Sequence, residues 1–224
     1  MHRGLSPSSS EMSWQTALRQ VLEVTHEPLS HAKVGWAVIG SAASTLQGCR
    51  LPPADIDILF AEPEGVHQFA QFMSVFAVPR RPREGELWLS SREQPVAFEP
   101  PDPQKEVWNF GRWMIADCKI EAAHIARPAD DPSVAQDWIC EPGPRIWPHI
   151  RHVPFGRYQV PVVPLEIRLG TELLRERKER VDEIVAVLQG QGHDRELLRQ
   201  ALSRQHLAVA ERLLTCNSED AKCR

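Results

Sequence analysis

The sequence predicts an α+β fold in which a mixed β-sheet is flanked by helices and followed by a C-terminal helical segment. Two observations lead to this prediction. Strand-like and helical segments alternate up to about residue 164. From Leu165 onwards the segments are helical, and Gly190 and Gly192 interrupt them. We therefore expect three regions: a disordered N-terminus (1–10), an α+β domain (11–164) and a helical region (165–224).

The first half of the α+β domain is predicted to alternate helices with buried strands. An amphipathic helix is expected over about 12–27, after a polar, serine-rich N-terminus. Small and β-branched residues predict two strands, VGWAVIG and DIDILFA, with the short helix SAASTLQG between them. A second amphipathic helix, EGVHQFAQFMSVF, follows.

The rest of the chain is predicted to contain a hairpin and several helices. Two strand-like segments, WNFGRWMIA and KIEAAHIA, flank Asp117 and Cys118 and predict a β-hairpin. The segment YQVPVVPLEIRL begins extended and becomes helical, and one long charged helix is expected over 165–188. Two shorter helices, 193–203 and about 205–215, follow. The loop-rich passage 127–150 receives no assignment.

Composition excludes several classes of protein. The net charge of −4 gives no global basic field, so nucleic acid is disfavoured as a partner and a small ligand is favoured. The five cysteines are odd in number and form no C-x-x-C pair, which indicates neither a zinc site nor a disulfide framework. We therefore expect a reduced, cytoplasmic protein. No N-terminal apolar region resembles a signal peptide, and no apolar window is long enough to span a membrane.

Asp55 and Asp57 lie inside an otherwise apolar strand. Residues i and i+2 of a strand share a face, so the two carboxylates project together while Ile56 and Ile58 can be buried. Two adjacent carboxylates repel each other unless a cation lies between them. Mg²⁺ prefers such hard oxygen ligands, so the pair is a candidate metal site. The competing interpretation is a solvated pair at the end of a strand.

Gly40 and Ser41 stand at the junction of the first strand and the short helix. Glycine lets a ligand approach the backbone, and a helix N-terminus offers unpaired N–H groups to a phosphate. The Ser41 hydroxyl is a further candidate phosphate donor. The alternative is an ordinary strand-to-helix turn with a serine N-cap.

The combination resembles the signature of the nucleotidyltransferase superfamily, whose members share the DNA polymerase beta-like fold. In that signature, an apolar residue with Gly-Ser or Gly-Gly precedes an Asp-x-Asp pair by a gap of roughly ten residues; here the gap is residues 42–54. The resemblance is strongest to small bacterial enzymes of the aminoglycoside and minimal nucleotidyltransferase kind. The matching residues are Ile39, Gly40, Ser41, Asp55, Ile56, Asp57 and Ile58.

The resemblance implies both a reaction and a third carboxylate. The reaction is transfer of a nucleoside monophosphate, by family habit AMP from ATP, to a hydroxyl with release of pyrophosphate. Mg²⁺ or Mn²⁺ would be held by Asp55, Asp57 and a carboxylate on a neighbouring strand, which could also act as the general base. Glu121 is the best match and Asp117 the alternative. Gly40 and Ser41 would hold the β- and γ-phosphates.

Several questions stay open at the level of sequence. The hydroxyl acceptor is unknown, and a non-catalytic binding or regulatory module, such as a toxin–antitoxin component, is the alternative function. No arginine or lysine is assigned to the phosphates. Charged residues of the long C-terminal helix, including Arg175, Lys178 and Asp182, are interpreted mainly as a solvated face. That helix is also a candidate homodimer face.

Overall fold

The structure, a computed structural model, describes residues 9–76, 89–90, 107–126 and 138–215. Helices and strands follow each other along the whole of this range, and short 3-10 turns occur at Ser74–Phe76 and Pro144–His149. The helices are α1 Ser9–His31, α2 Gly40–Leu46, α3 Pro63–Met73, α4 Leu165–Leu174, α5 Lys178–Gln191, α6 Arg195–Ala201 and α7 Arg204–Thr215. The strands are β1 Trp36–Ile39, β2 Asp55–Phe60, β3 Leu89–Ser90, β4 Val107–Ile115, β5 Cys118–Ala126, β6 Arg151–Phe155 and β7 Tyr158–Val162.

The strands form one mixed sheet in the order β3-β4-β5-β2-β1-β7-β6. Strand β2 lies at its centre, antiparallel to β1 and parallel to β5. Strand β7 joins the other side of β1 in a parallel pair. The predicted α+β class, a mixed sheet flanked by helices and followed by a helical segment, is confirmed.

Alternation along β2 separates a buried face from the face that carries the aspartates. Ile56, Ile58 and Phe60 are almost fully buried in the main hydrophobic cluster, against residues of α1 and α3. Asp55 and Asp57 point to the opposite face and are half-buried. The apolar face therefore fixes the register of β2, because a slip of one residue would bury both carboxylates.

The C-terminal helices build a second hydrophobic cluster. Leu169 of α4 packs there with Ile184, Leu188 and Leu198, and Cys49, which follows α2, joins them. The helical segment packs on the sheet through α2, which contacts β1 and β2, and through α4, whose Ile167 shares a third cluster with Leu59 of β2. The division of the chain into separate domains stays a prediction. Among the described residues, no helix combines the length and apolar character needed to cross a membrane.

The predicted long helix over 165–188 is wrong, since two helices occupy this region. Helix α4 ends at Leu174, and Glu176 adopts a left-handed conformation with φ 54°. The Glu176 N–H donates to the Leu173 carbonyl and the Arg177 N–H to the Glu172 carbonyl, which is the Schellman pattern of helix termination. Glycine usually occupies the left-handed position, so glutamate there gives no sequence signal for the end of the helix.

Other boundaries also differ from expectation. Helix α1 begins at Ser9, so the region expected to be disordered overlaps it at Ser9–Ser10, and residues 1–8 lie outside the described part of the chain. Gly190 lies within α5, and only Gly192, with φ 84°, ends that helix. Strand β6 was not predicted, because its exposed side chains and internal proline obscure the pattern.

Candidate active site

Three carboxylates converge on the sheet face opposite the main core. Asp57 on β2 is in register with Glu121 on β5, and strand alternation places Asp55 on the same face. Carboxylate oxygens of the three residues lie within 4.8 Å of one another, and each residue is half-buried. The structure thus brings together the three residues that the sequence proposed as a metal-binding and catalytic set.

Asp117, the alternative third carboxylate, lies elsewhere. Ile115 and Cys118 pair across the hairpin, and Ala116 and Asp117 form its two-residue turn with φ 48° and 60°. Positive φ at both central residues is typical of a type I′ turn, where aspartate is well tolerated. Asp117 is therefore a turn residue and does not belong to the carboxylate cluster.

Two cations that the sequence analysis did not single out contact the cluster. Lys119 Nζ lies 3.0 Å from Asp55 Oδ2 and 3.2 Å from Glu121 Oε1. Arg112 donates from Nε to the same Glu121 oxygen at 2.7 Å, and its Nη2 lies 2.6 Å from it. The hairpin register would have located both, since Lys119 is two residues before Glu121 and Arg112 is directly across from it.

Asp57 is the carboxylate of the cluster whose negative charge is least neutralised by nearby cations. Burial, together with repulsion from Asp55 and Glu121, raises the pKa of Asp57 to about 7, although Lys119 acts in the opposite direction. Among the described residues, no lysine or arginine forms an ion pair with it. A further cation beside Asp57 would therefore favour its charged form at neutral pH.

Gly40 is required beside Asp57. It has φ +65°, and a Cβ atom placed on it would lie 2.7 Å from Asp57 Oδ2. Its N–H donates to Glu141 Oε1 at 3.0 Å, so the group predicted to hold a phosphate has a carboxylate partner in this structure. Helix α2 begins at Gly40 after an N-cap at Ile39 that makes no side-chain bond, so the alternative of a serine N-cap at Ser41 is wrong.

Ser41 lines a different pocket from the one that Asp57 and Glu121 line. It lines a separate small pocket beside α5, with Cys49, Arg180 and Glu183 among its neighbours. Its role as a phosphate ligand stays a prediction.

A buried network of charged side chains holds Glu141, the residue that accepts the hydrogen bond from the Gly40 N–H. Arg168 on α4 pairs with Glu141 and with Glu172, and the side chains of all three residues are at least 96% buried. Burial alone would lower the pKa of Arg168, but Glu141 and Glu172 raise it above its usual value. The Thr171 hydroxyl donates to Glu141 Oε2 at 3.3 Å. The network fixes the loop that carries Glu141 against Gly40.

Sequence reasoning missed this network for two reasons. Glu141 belongs to the passage 127–150 that received no assignment. Arg168 and Glu172 have the i,i+4 spacing that ordinarily indicates an exposed pair on a helix. Their small and apolar neighbours in IRLGTELL were the only sign that the pair is buried.

The carboxylates open into a cleft of about 420 Å³. Asp57, Glu121 and Glu141 line it on the polar side, and Arg175 lines it at the C-terminal end of α4. Arg175 is exposed, in contrast to Arg168. The other lining residues are largely apolar and include Trp108, Phe110 and Ile125.

No family model and no curated protein matches the sequence. Among solved structures, a crystal structure of a candidate nucleotidyltransferase from Thermotoga maritima is similar. The two chains are 22% identical, the match covers 80% of this chain and 94% of the other, and the TM-score is 0.48. The case for a function therefore comes from the site itself.

Proposed function

We propose that this chain is a metal-dependent nucleotidyltransferase that transfers a nucleoside monophosphate to a hydroxyl of a small molecule or protein and releases pyrophosphate. ATP is the donor to test first. The observation that supports this proposal most is the convergence of Asp55, Asp57 and Glu121, with their oxygens within 4.8 Å of one another, on a sheet face that opens into a cleft.

The three carboxylates fit Mg²⁺ or Mn²⁺. Their oxygens are hard ligands, and Lys119 and Arg112 supply only two positive charges against three negative ones. The raised pKa of Asp57 marks the position where positive charge is lacking. Asp55, Asp57 and Glu121 would therefore hold the ion, which when bound neutralises charge developing on the leaving pyrophosphate.

The other residues of the cleft have distinct roles in this proposal. Of the two described arginines that line the cleft, Arg175 is the one proposed to bind the outer phosphates, because it is exposed while Arg168 is paired with Glu141 and Glu172. Arg112 orients Glu121, which would accept the proton of the attacking hydroxyl as the resemblance implies.

A phosphate contact at Gly40 needs a change in this structure. The hydrogen bond that the Gly40 N–H donates to Glu141 Oε1 must first break. Metal binding at the carboxylates also needs a change, because Lys119 Nζ now lies between Asp55 Oδ2 and Glu121 Oε1 and would have to move aside.

Thermal melts with each nucleoside triphosphate, with and without Mg²⁺, test the proposal. A ligand at about 100 times its Kd stabilises a protein by about 2.7 kcal/mol, or roughly 5–10 °C for a chain of this size. We expect this shift for wild type with Mg²⁺ and not for the Asp55→Ala/Asp57→Ala variant. The matched control is Glu179→Ala/Asp182→Ala, which removes two exposed carboxylates from α5 and should retain the shift.

Pyrophosphate release in the presence of hydroxyl acceptors then tests the reaction. A shift that depends on neither Mg²⁺ nor the aspartates would contradict the proposed function.

A further inference from the structure

The cleft continues from the carboxylates into an apolar slot. On the cleft face of the sheet, charged residues occupy one end of β4 and β5 and apolar residues occupy the other. We define the apolar slot by its described lining residues: Leu59, Trp108, Phe110, Ala123, Ile125 and Pro142.

The strand register orders these residues by distance from the metal-binding carboxylates. Ala123 follows Glu121 by two residues and lies opposite Phe110. Ile125 follows by two more and lies opposite Trp108. Each step of two residues along a strand covers about 7 Å, so the slot begins about 7 Å from Glu121 and reaches Trp108 after about 14 Å.

The slot has the shape of a depression between larger side chains. Ala123 has only a methyl group, while Phe110 and Leu59 stand on the strands to either side of it. Phe110 is nearly buried, and the Arg112 guanidinium lies 5.4 Å from its ring centroid. Trp108 is half-buried at the far end. A slot with a small residue, Ala123, at its floor and the aromatic residues Phe110 and Trp108 beside it can hold a flat ring.

We propose that the apolar slot binds the nucleobase of the triphosphate donor, with Trp108 as the side chain on which the base stacks. The inference rests on the proposed function, because it takes the phosphates to lie at Asp55, Asp57 and Glu121. In a nucleotide, the ribose separates the base from the phosphate that reacts. A ring pocket one to two strand steps from the carboxylates matches that separation, whereas the hydroxyl of an acceptor must reach the reacting phosphate itself.

The test compares two probes, ATP and inorganic tripolyphosphate, each with Mg²⁺, by titration calorimetry. Both carry three linked phosphates, but only ATP carries a ring. Stacking of a base on an aromatic side chain changes affinity by about tenfold or more on truncation to alanine. Wild type should therefore bind ATP at least about tenfold more tightly than tripolyphosphate.

Three variants locate the ring. Trp108→Ala should weaken ATP binding by about tenfold and leave tripolyphosphate binding unchanged. Trp108→Phe keeps a flat ring and should restore most of the affinity for ATP. Ala123→Leu fills the depression without removing any contact residue, so it should weaken ATP binding selectively even if Trp108→Ala fails to fold.

Some results would overturn the inference while leaving the proposed function intact. One is equal binding of ATP and tripolyphosphate by wild type. Another is a loss of affinity for both probes in Ala123→Leu, which would indicate a structural effect. A third is unchanged ATP binding in both variants, which would place the nucleobase outside the slot. Failure of both probes to bind wild type in the presence of Mg²⁺ would instead contradict the proposed function.

Discussion

Replacing Asp57 by asparagine should stabilise the metal-free protein at neutral pH. The variant keeps the size of the side chain and removes the charge that burial and neighbouring carboxylates disfavour. The pKa of Asp57 rises from 3.8 to about 7 on folding, a change of about 3 units, and each unit corresponds to about 1.36 kcal/mol. Asp57→Asn should therefore stabilise the fold by about 4 kcal/mol at pH 8.

The sign follows from proton linkage. Between about pH 4 and 7 the folded chain retains a proton on Asp57 that the unfolded chain has lost, so stability falls as pH rises through this window. The destabilisation is absent below about pH 4 and complete above about pH 7. The advantage of Asp57→Asn should grow over the same interval.

Thermal melts of wild type and Asp57→Asn in EDTA, at intervals from pH 4 to 8, measure this effect. For a chain of this size, 4 kcal/mol corresponds to roughly 10 °C in Tm. Asp182→Asn is the matched control, since Asp182 is exposed and pairs with Lys178 on α5, and its difference from wild type should change little with pH. A pH-independent difference for Asp57→Asn, or a variant less stable than wild type at pH 8, would refute the reasoning.

Three further substitutions test other parts of the structure. Gly40→Ala should abolish the Mg²⁺-dependent rise in Tm, because its Cβ would collide with Asp57 Oδ2 and φ is +65°, whereas Gly190→Ala, which meets nothing within 4 Å, should not. Arg168→Met leaves buried Glu141 without its ion-pair partner and Glu172 with only Arg180, 3.9 Å away, so it should lower the free energy of unfolding by about 3–5 kcal/mol in urea titrations; a loss below 1 kcal/mol would contradict the network. Glu176→Gly should raise stability by about 1 kcal/mol in the same assay, since glycine adopts φ 54° without strain, and a destabilised variant would show that the glutamate side chain matters.

Local patterns in the sequence were sufficient to predict the strands that carry the carboxylates and the hairpin that contains Glu121. The alternation in DIDILF predicts which face of its strand carries Asp57, and the hairpin in 107–126 predicts the strand that carries Glu121. The two carboxylates become neighbours only when those two strands pair in parallel. The joint position of these residues followed from the family resemblance, because the order of strands in a sheet is not a local property.

The rest of the site depends on contacts between distant segments. Glu141 reaches Gly40 from a loop with no periodic pattern, and nothing near either residue in the sequence indicates the other. The position of Arg168 depends on whether its helix is buried, which is decided by the packing of α4 against α2 and α5 rather than by its own residues. Such features become predictable only when the tertiary arrangement is known.

The hydrogen bond from Gly40 to Glu141 has a consequence for folding during synthesis. It joins residues 101 positions apart, and strand β1 also needs β7, whose Val162 is its partner at Val38. A ribosome that has released only the first half of the chain therefore exposes Asp55 and Asp57 without the segments that enclose them. The pairing of β1 with β7 must wait for β7 to emerge, and closing such long loops slows folding. If β1 pairs with β2 before then, its other side is an unpaired sheet edge, which is a surface prone to aggregation.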